Sequence, residues 1–155
     1  MPMKIIIGAV GKMKKKSPEE ALINDYISKT RWPVEIKEVE EKRTLPVDEL
    51  KSAESELLLR ALPTDTKIVA LDERGETLSS RELAGRLRTW QDSGVGTVAF
   101  LIGGANGHSE TLRQRADLKL SFGRMTLPHM LMRVVLAEQI YRAKTILDGH
   151  PYHKD

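Results

Sequence analysis

The 155-residue chain carries 25 Lys and Arg against 22 Asp and Glu, a formal net charge of +3, and is 40% hydrophobic and 30% charged. This is the composition of one soluble α/β domain spanning residues 1–155, too short for two of ordinary size, and its charge favours an anionic partner only mildly. The absence of cysteine excludes disulfides, thiolate nucleophiles and cysteine-ligated zinc, and no apolar run approaches the roughly 20 residues needed to cross a bilayer.

Residues 3–10 read as a β-branched central strand with apolar residues on both faces, the pattern of a parallel sheet covered by helices. The strand is short, its basic run follows rather than precedes it, and no small-residue cleavage site is present, so a signal peptide is not expected and a cytoplasmic location is. Gly8 and Gly11 mark a loop, followed by Lys12, Lys14, Lys15 and Lys16, which read either as a solvated loop or as a phosphate footprint for RNA. Ser17-Pro18-Glu19-Glu20 opens a helix with a cap and a capping-box glutamate, and it should run to about Trp32, where Pro33 stops it.

Residues 34–39 alternate as a half-buried strand near an edge. From Pro46 to about Leu62 the pattern is helical, with Leu50, Ala53, Leu57, Leu58 and Ala61 on one stripe. Residues 67–71 are a buried strand that should end at the turn-rich Asp72-Glu73-Arg74-Gly75-Glu76. Ser79 and Glu82 repeat the capping-box spacing at the head of a helix reaching about Ser93 and closed by Gly94. Residues 97–102 are another buried strand, and the alternation of strand and helix predicts a mostly parallel sheet with helices on both faces. Ligands of such sheets bind beyond the carboxyl ends of strands, here at Leu71 and Gly103. A short helix over 109–116 and a short strand over 118–122 follow, and Pro128 opens the longest helix, 129–147. Its apolar stripe is Met132, Leu136, Ile140, Ala143 and Leu147, and Glu138 and Arg142 form an i, i+4 ion pair. The tail, His150-Pro151-Tyr152-His153-Lys154-Asp155, is too aromatic and too basic for a frayed end.

Two strand ends run into glycine-bearing loops, at Gly103-Gly104-Ala105-Asn106-Gly107 and at Phe122-Gly123, which suggests one pocket walled by main chain. Neither the G-x-G-x-x-G spacing nor the P-loop spacing is present, and a strand-to-helix turn without a ligand is the simpler alternative. His150 and His153 straddle Pro151 and have no carboxylate at a familiar metal spacing, so no metal is expected. His129, at a helix start beside the pocket, should be held neutral by the helix dipole; packing and catalysis are equally open to it. Arg133 and Arg142 lie off the apolar stripe, where they serve surface pairing or contact a phosphate.

Leu101-Ile102-Gly103-Gly104, Thr126-Leu127-Pro128-His129, Arg133, the run from Glu138 to Ala143 and His150-Pro151-Tyr152-His153 together closely resemble the ribosomal RNA large subunit methyltransferase H family of the SPOUT superfamily. The resemblance covers nearly the whole chain. It implies an α/β SPOUT fold with a mostly parallel sheet and a deep trefoil knot in its carboxyl-terminal part, a homodimer with the long helix at the interface, and S-adenosyl-L-methionine as methyl donor. The implied reaction is methylation of N3 of a pseudouridine in 23S ribosomal RNA, on the assembled ribosome. By the same match Leu71, Gly103, Phe122, Gly123, Arg124, Met125, Thr126 and Leu127 would line the donor site. One departure is Ala105-Asn106, where many relatives carry Pro-Glu, so no carboxylate role carries over to Asn106.

The imide nitrogen of a pyrimidine must be supplied to the methyl group as an anion or near-anion. Candidates are His129 as base or orienting group, Arg142 as anion stabiliser held by Glu138, and Tyr152 with His153 gripping the base or its phosphate. Competing readings are an enzyme of the same fold acting on another RNA, and a non-catalytic module that binds an adenine ligand or RNA.

Overall fold

The structure, a computed structural model, describes residues 2–154. Strands β1 (Lys4–Val10), β2 (Val34–Val39), β3 (Lys67–Thr77), β4 (Thr97–Ile102) and β5 (Leu118–Ser121) form one sheet in the order β2-β1-β4-β3-β5, with every neighbouring pair parallel. Strand side chains alternate between two apolar layers. Ile5, Ile7, Val98, Phe100 and Val69 face helices α1 (Pro18–Lys29), α3 (Ser80–Asp92) and α5 (His129–Leu147), whereas Ile6, Ile68, Ala99 and Leu101 face α2 (Val47–Arg60) and α4 (Glu110–Arg115). Helices on both faces explain why β1 and β4 read as continuous apolar runs, and β2 lies at an edge as its alternation predicts.

Local signals behave as expected at the helix starts. Ser17 Oγ accepts from the amide of Glu20, and at Ser79 both halves of the capping box form, with Glu82 N donating to Ser79 Oγ at 3.0 Å and Ser79 N to Glu82 Oε1 at 2.8 Å. Three expectations are corrected. Helix α1 stops at Lys29 rather than near Trp32, because Trp32 turns into the core at 2% exposure and donates its indole N–H to Gln91 Oε1. On α2 only Ser55 and Leu58 are fully buried, so the stripe of Leu50, Ala53, Leu57 and Ala61 is half-covered; α4, the other helix on that face, is a single short turn and a half.

The third correction concerns β3. The segment from Asp72 to Glu76 has turn composition, yet the chain re-enters the same strand: Leu120 of β5 pairs with both Leu71 and Glu76 across a bulge. Gly75 permits this, since a Cβ there would stand 2.5 Å from the carbonyl carbon of Lys119. Asp72 closes the bulge by accepting from the amide of Arg74 at 2.9 Å.

Helix α5 occupies its expected span, and Leu136, Ile140 and Ala143 are buried between α1 and α3. The burial is wider than a stripe and includes Ala137, Thr145 and Arg133. Arg133, expected at the surface, is 1% exposed; its guanidinium is paired with Glu38 of β2 and donates to the carbonyl of Gly11 at 3.0 Å. It ties α5 to the ends of β1 and β2 and offers nothing to a phosphate. Among the described residues no helix is long and apolar enough to cross a membrane. The last residue of the tail motif, Asp155, lies outside the described residues.

Candidate functional site

The carboxyl ends of β1, β4 and β5, with residues 71–74 in the bulge of β3, open into a cavity of about 840 Å³, within the range of small-molecule sites. Its walls include Leu71, Gly103, Phe122, Gly123, Met125, Thr126 and Leu127, so these expected residues are gathered around one space. Arg124 is not among the lining residues and is exposed. Met125 is 87% exposed at the rim, an unusual position for a large apolar side chain.

Two glycine-bearing loops form part of the walls for steric reasons. A Cβ at Gly103 would lie 2.9 Å from the carbonyl carbon of Gly107, and Gly107 itself has a φ of 79°. The loop folds back on itself: Gly107 N donates to Gly104 O at 3.0 Å. On the other side Gly123 has a φ of 117°, and its amide donates to Ser121 Oγ at 3.1 Å. Both loops therefore turn tightly beside the cavity.

His129 also lines the cavity, with Nε2 buried and without a hydrogen-bond partner among the described residues. Its pKa is lowered, first by burial and then by the charge of Arg133, so the ring is neutral near pH 7 and Nε2 is free to act as an acceptor. The direction matches the sequence expectation, while these causes take the place of the helix dipole.

Sequence reasoning passed over several lining residues. His108, 6% exposed, shares its Nε2 proton with the carbonyl of Leu101 at 2.9 Å and braces the glycine loop; burial lowers its pKa. Burial pushes Asp72 up, but the amide of Arg74 and the bonded guanidinium of Arg113 outweigh it and hold the carboxyl below the usual range. Helix α2 contributes Lys51 and Glu54. The signal for Glu54 was its spacing, four residues from both Leu50 and Leu58, which turns it toward the sheet.

Glu138, Arg142, Tyr152 and His153 assemble a second cluster. Arg142 donates from Nε to Glu138 Oε2 at 3.1 Å and from NH2 to the same oxygen at 2.7 Å, while NH1 lies 3.0 Å from His153 Nδ1. Because a guanidinium only donates, Nδ1 is the acceptor in that contact and carries no proton. Tyr152 donates to Glu138 Oε2 at 2.7 Å, stacks edge-on against Tyr141 at 4.7 Å and covers the Arg142 guanidinium at 4.9 Å. The bond to Glu138 raises the pKa of Arg142; burial, then that same carboxylate, raises that of Tyr152. None of the four residues lines the cavity. Glu138 lies nine residues along α5 from His129, a rise of roughly 13 Å.

A parallel sheet with helices on both faces and a glycine-walled cavity at its carboxyl end is the setting of the SPOUT class, and a family model described as "Predicted SPOUT methyltransferase" matches residues 3–153. A solved structure of a probable methylase family protein from Haemophilus influenzae Rd KW20 has the same fold, with a TM-score of 0.55 at 11% identity over 99% of this chain and 70% of that one. The chain is 56% identical to a ribosomal RNA large subunit methyltransferase H from Paramagnetospirillum magneticum, over 98% of this chain and 99% of the relative. It is 49% identical to the protein of that name from Rhodospirillum centenum, with the same coverage. The chain belongs to the ribosomal RNA large subunit methyltransferase H family of SPOUT methyltransferases.

Proposed function

We propose that the protein is an S-adenosylmethionine-dependent methyltransferase that modifies N3 of a pseudouridine in 23S ribosomal RNA. The observation that carries this reading is the end-to-end similarity to relatives of that name at up to 56% identity. The cavity fits the donor. It has the volume for a nucleoside with an amino-acid arm, its glycines at 103 and 123 place no side chain in the way, and Phe122, Met125 and Leu127 offer apolar surface to a base. Leu71, Gly103, Phe122, Gly123, Met125, Thr126 and Leu127 would hold the donor, with Arg124 at the rim. When bound, the donor supplies a methyl group activated on a sulfonium.

The chain's own residues supply the acceptor side. His129, neutral and with a vacant Nε2 in the cavity, takes the imide proton or orients the ring that loses it. Arg142, held by Glu138, stabilises the resulting anion, and Tyr152 and His153 close over the base. Since the Arg142 cluster is set apart from the cavity along α5, a homodimer packed through α5 lets the tail of one protomer complete its partner's site. Leu131, 45% exposed on α5, supports such a face. The exposed lysines 12, 14, 15 and 16 follow the end of β1, whose Val10 lines the cavity, and so present a basic surface to RNA on that side. The ribosome as substrate, the trefoil knot through the 103–107 and 122–127 loops, a single domain and a cytoplasmic location complete the reading.

The test is mass spectrometry of 23S ribosomal RNA from a strain lacking the gene, complemented with the wild-type chain or with Arg142→Ala. Methylated pseudouridine should return with the wild type alone. A different methylated nucleotide would assign another RNA site to the same fold, and no change in the RNA would overturn the reading.

A further inference from the structure

Helix α2 brings to the cavity a carboxylate that the acceptor chemistry does not use. Glu54 lines the cavity, and its Oε1 is buried with no hydrogen-bond partner among the described residues. The side chain reaches the glycine loop, where a Cβ on Gly104 would lie 2.8 Å from Oε1 and 3.0 Å from Oε2. The loop itself has no ionisable group, with Ala105 and Asn106 at its tip. A carboxyl oxygen removed from water without a donor destabilises the fold, and folded proteins keep such groups where something else completes them. Burial, and then the charge of Glu41, push the Glu54 carboxyl above its usual range, which a positive charge entering the cavity would reverse.

We propose that Glu54 recognises a cationic group of the methyl donor, so that charge from α2 adds to main-chain recognition by the two glycine loops. The inference rests on the donor assignment made above. S-adenosylmethionine carries two positive charges, a sulfonium and an α-ammonium. S-adenosylhomocysteine keeps only the ammonium, and 5′-methylthioadenosine has neither. Apolar recognition of the adenine and sulfur is common to all three, which isolates the charge.

Calorimetry on the wild type and Glu54→Gln, with displacement titration for the weakest ligand, tests this directly. Glutamine keeps the volume of the side chain and removes its charge. The variant should bind S-adenosylmethionine about tenfold more weakly, a loss of about 1.4 kcal/mol, and bind 5′-methylthioadenosine as the wild type does. An equal loss for S-adenosylhomocysteine assigns the contact to the ammonium, and a smaller loss assigns it to the sulfonium. Undiminished binding of S-adenosylmethionine, or the same loss for all three ligands, would overturn the role of Glu54 while leaving the donor assignment intact. A wild-type protein that bound none of the three would overturn the donor assignment and this inference with it.

Discussion

Tyr152 donates its phenolic proton to Glu138 across 2.7 Å and so ties the end of the chain to the middle of α5. The same carboxylate grips Arg142, so one acidic side chain holds both the tail and the cation proposed to face the acceptor. Tyr152→Phe leaves that grip in place and should lower kcat/KM for RNA methylation by about tenfold or less, whereas Arg142→Ala removes the cation and should cost about a hundredfold or more. Donor affinity, measured by calorimetry, should be unchanged in both, because neither residue lines the cavity.

Arg133 and Glu38 form an ion pair whose side chains are 2% and 28% exposed. Glu38 Oε2 also accepts from the exposed amide of Met13 at 2.7 Å, and removing Glu38 leaves the buried guanidinium without its carboxylate. Glu38→Ala should destabilise the protein by about 3–5 kcal/mol in urea unfolding. Adding Arg133→Met to that variant should recover part of the loss, since the uncompensated charge is then gone.

The bulge of β3 depends on Gly75. An alanine methyl would meet the Lys119 carbonyl at 2.5 Å, and both sides of the contact are backbone that cannot rotate away. Gly75→Ala should cost about 1–3 kcal/mol of stability. It should also weaken donor binding, because Leu71 and Asp72 at the start of the bulge line the cavity.

Stability should fall on the acid side of neutrality. His108 and His129 both have folded-state pKa values below the ordinary 6.5, through burial in each case, so the unfolded chain binds protons first. Their contribution is complete above pH 6.5 and declines as pH falls from there toward the folded values, by up to about 1.4 kcal/mol per pH unit for each histidine. His108→Gln removes one titration, and melting temperatures taken at intervals below neutral pH should then fall less steeply than in the wild type.

Lys12, Lys14, Lys15 and Lys16 are exposed, and Lys16 adopts a φ of 64°. Replacing all four with Ser should weaken RNA binding and lower the slope of log K against log salt by up to about 3. An unchanged slope would mean that these lysines only solvate the loop.

What could be read directly from the chain was everything governed by near neighbours. The caps at Ser17 and Ser79, the span of α5, the edge character of β2 and the i, i+4 pair of Glu138 with Arg142 follow from hydrogen bonds and side-chain spacing within a few residues. So did the two glycine loops, because an apolar run halted by glycine is a local pattern, and their assignment to a donor came from resemblance. Tertiary structure decided what distant segments do to each other. The 72–76 segment has turn composition either way, and only pairing with β5 makes it a bulge in a continuous strand. Arg133 looks like a surface residue until β1 and β2 bring a carboxylate and a carbonyl to it from about a hundred positions away. The wall that α2 adds to the cavity, with Glu54 against Gly104, exists because α2 packs on β1, whose neighbour β4 leads into the glycine loop. No short-range pattern encodes that contact; it is set by strand order and by the room a glycine leaves.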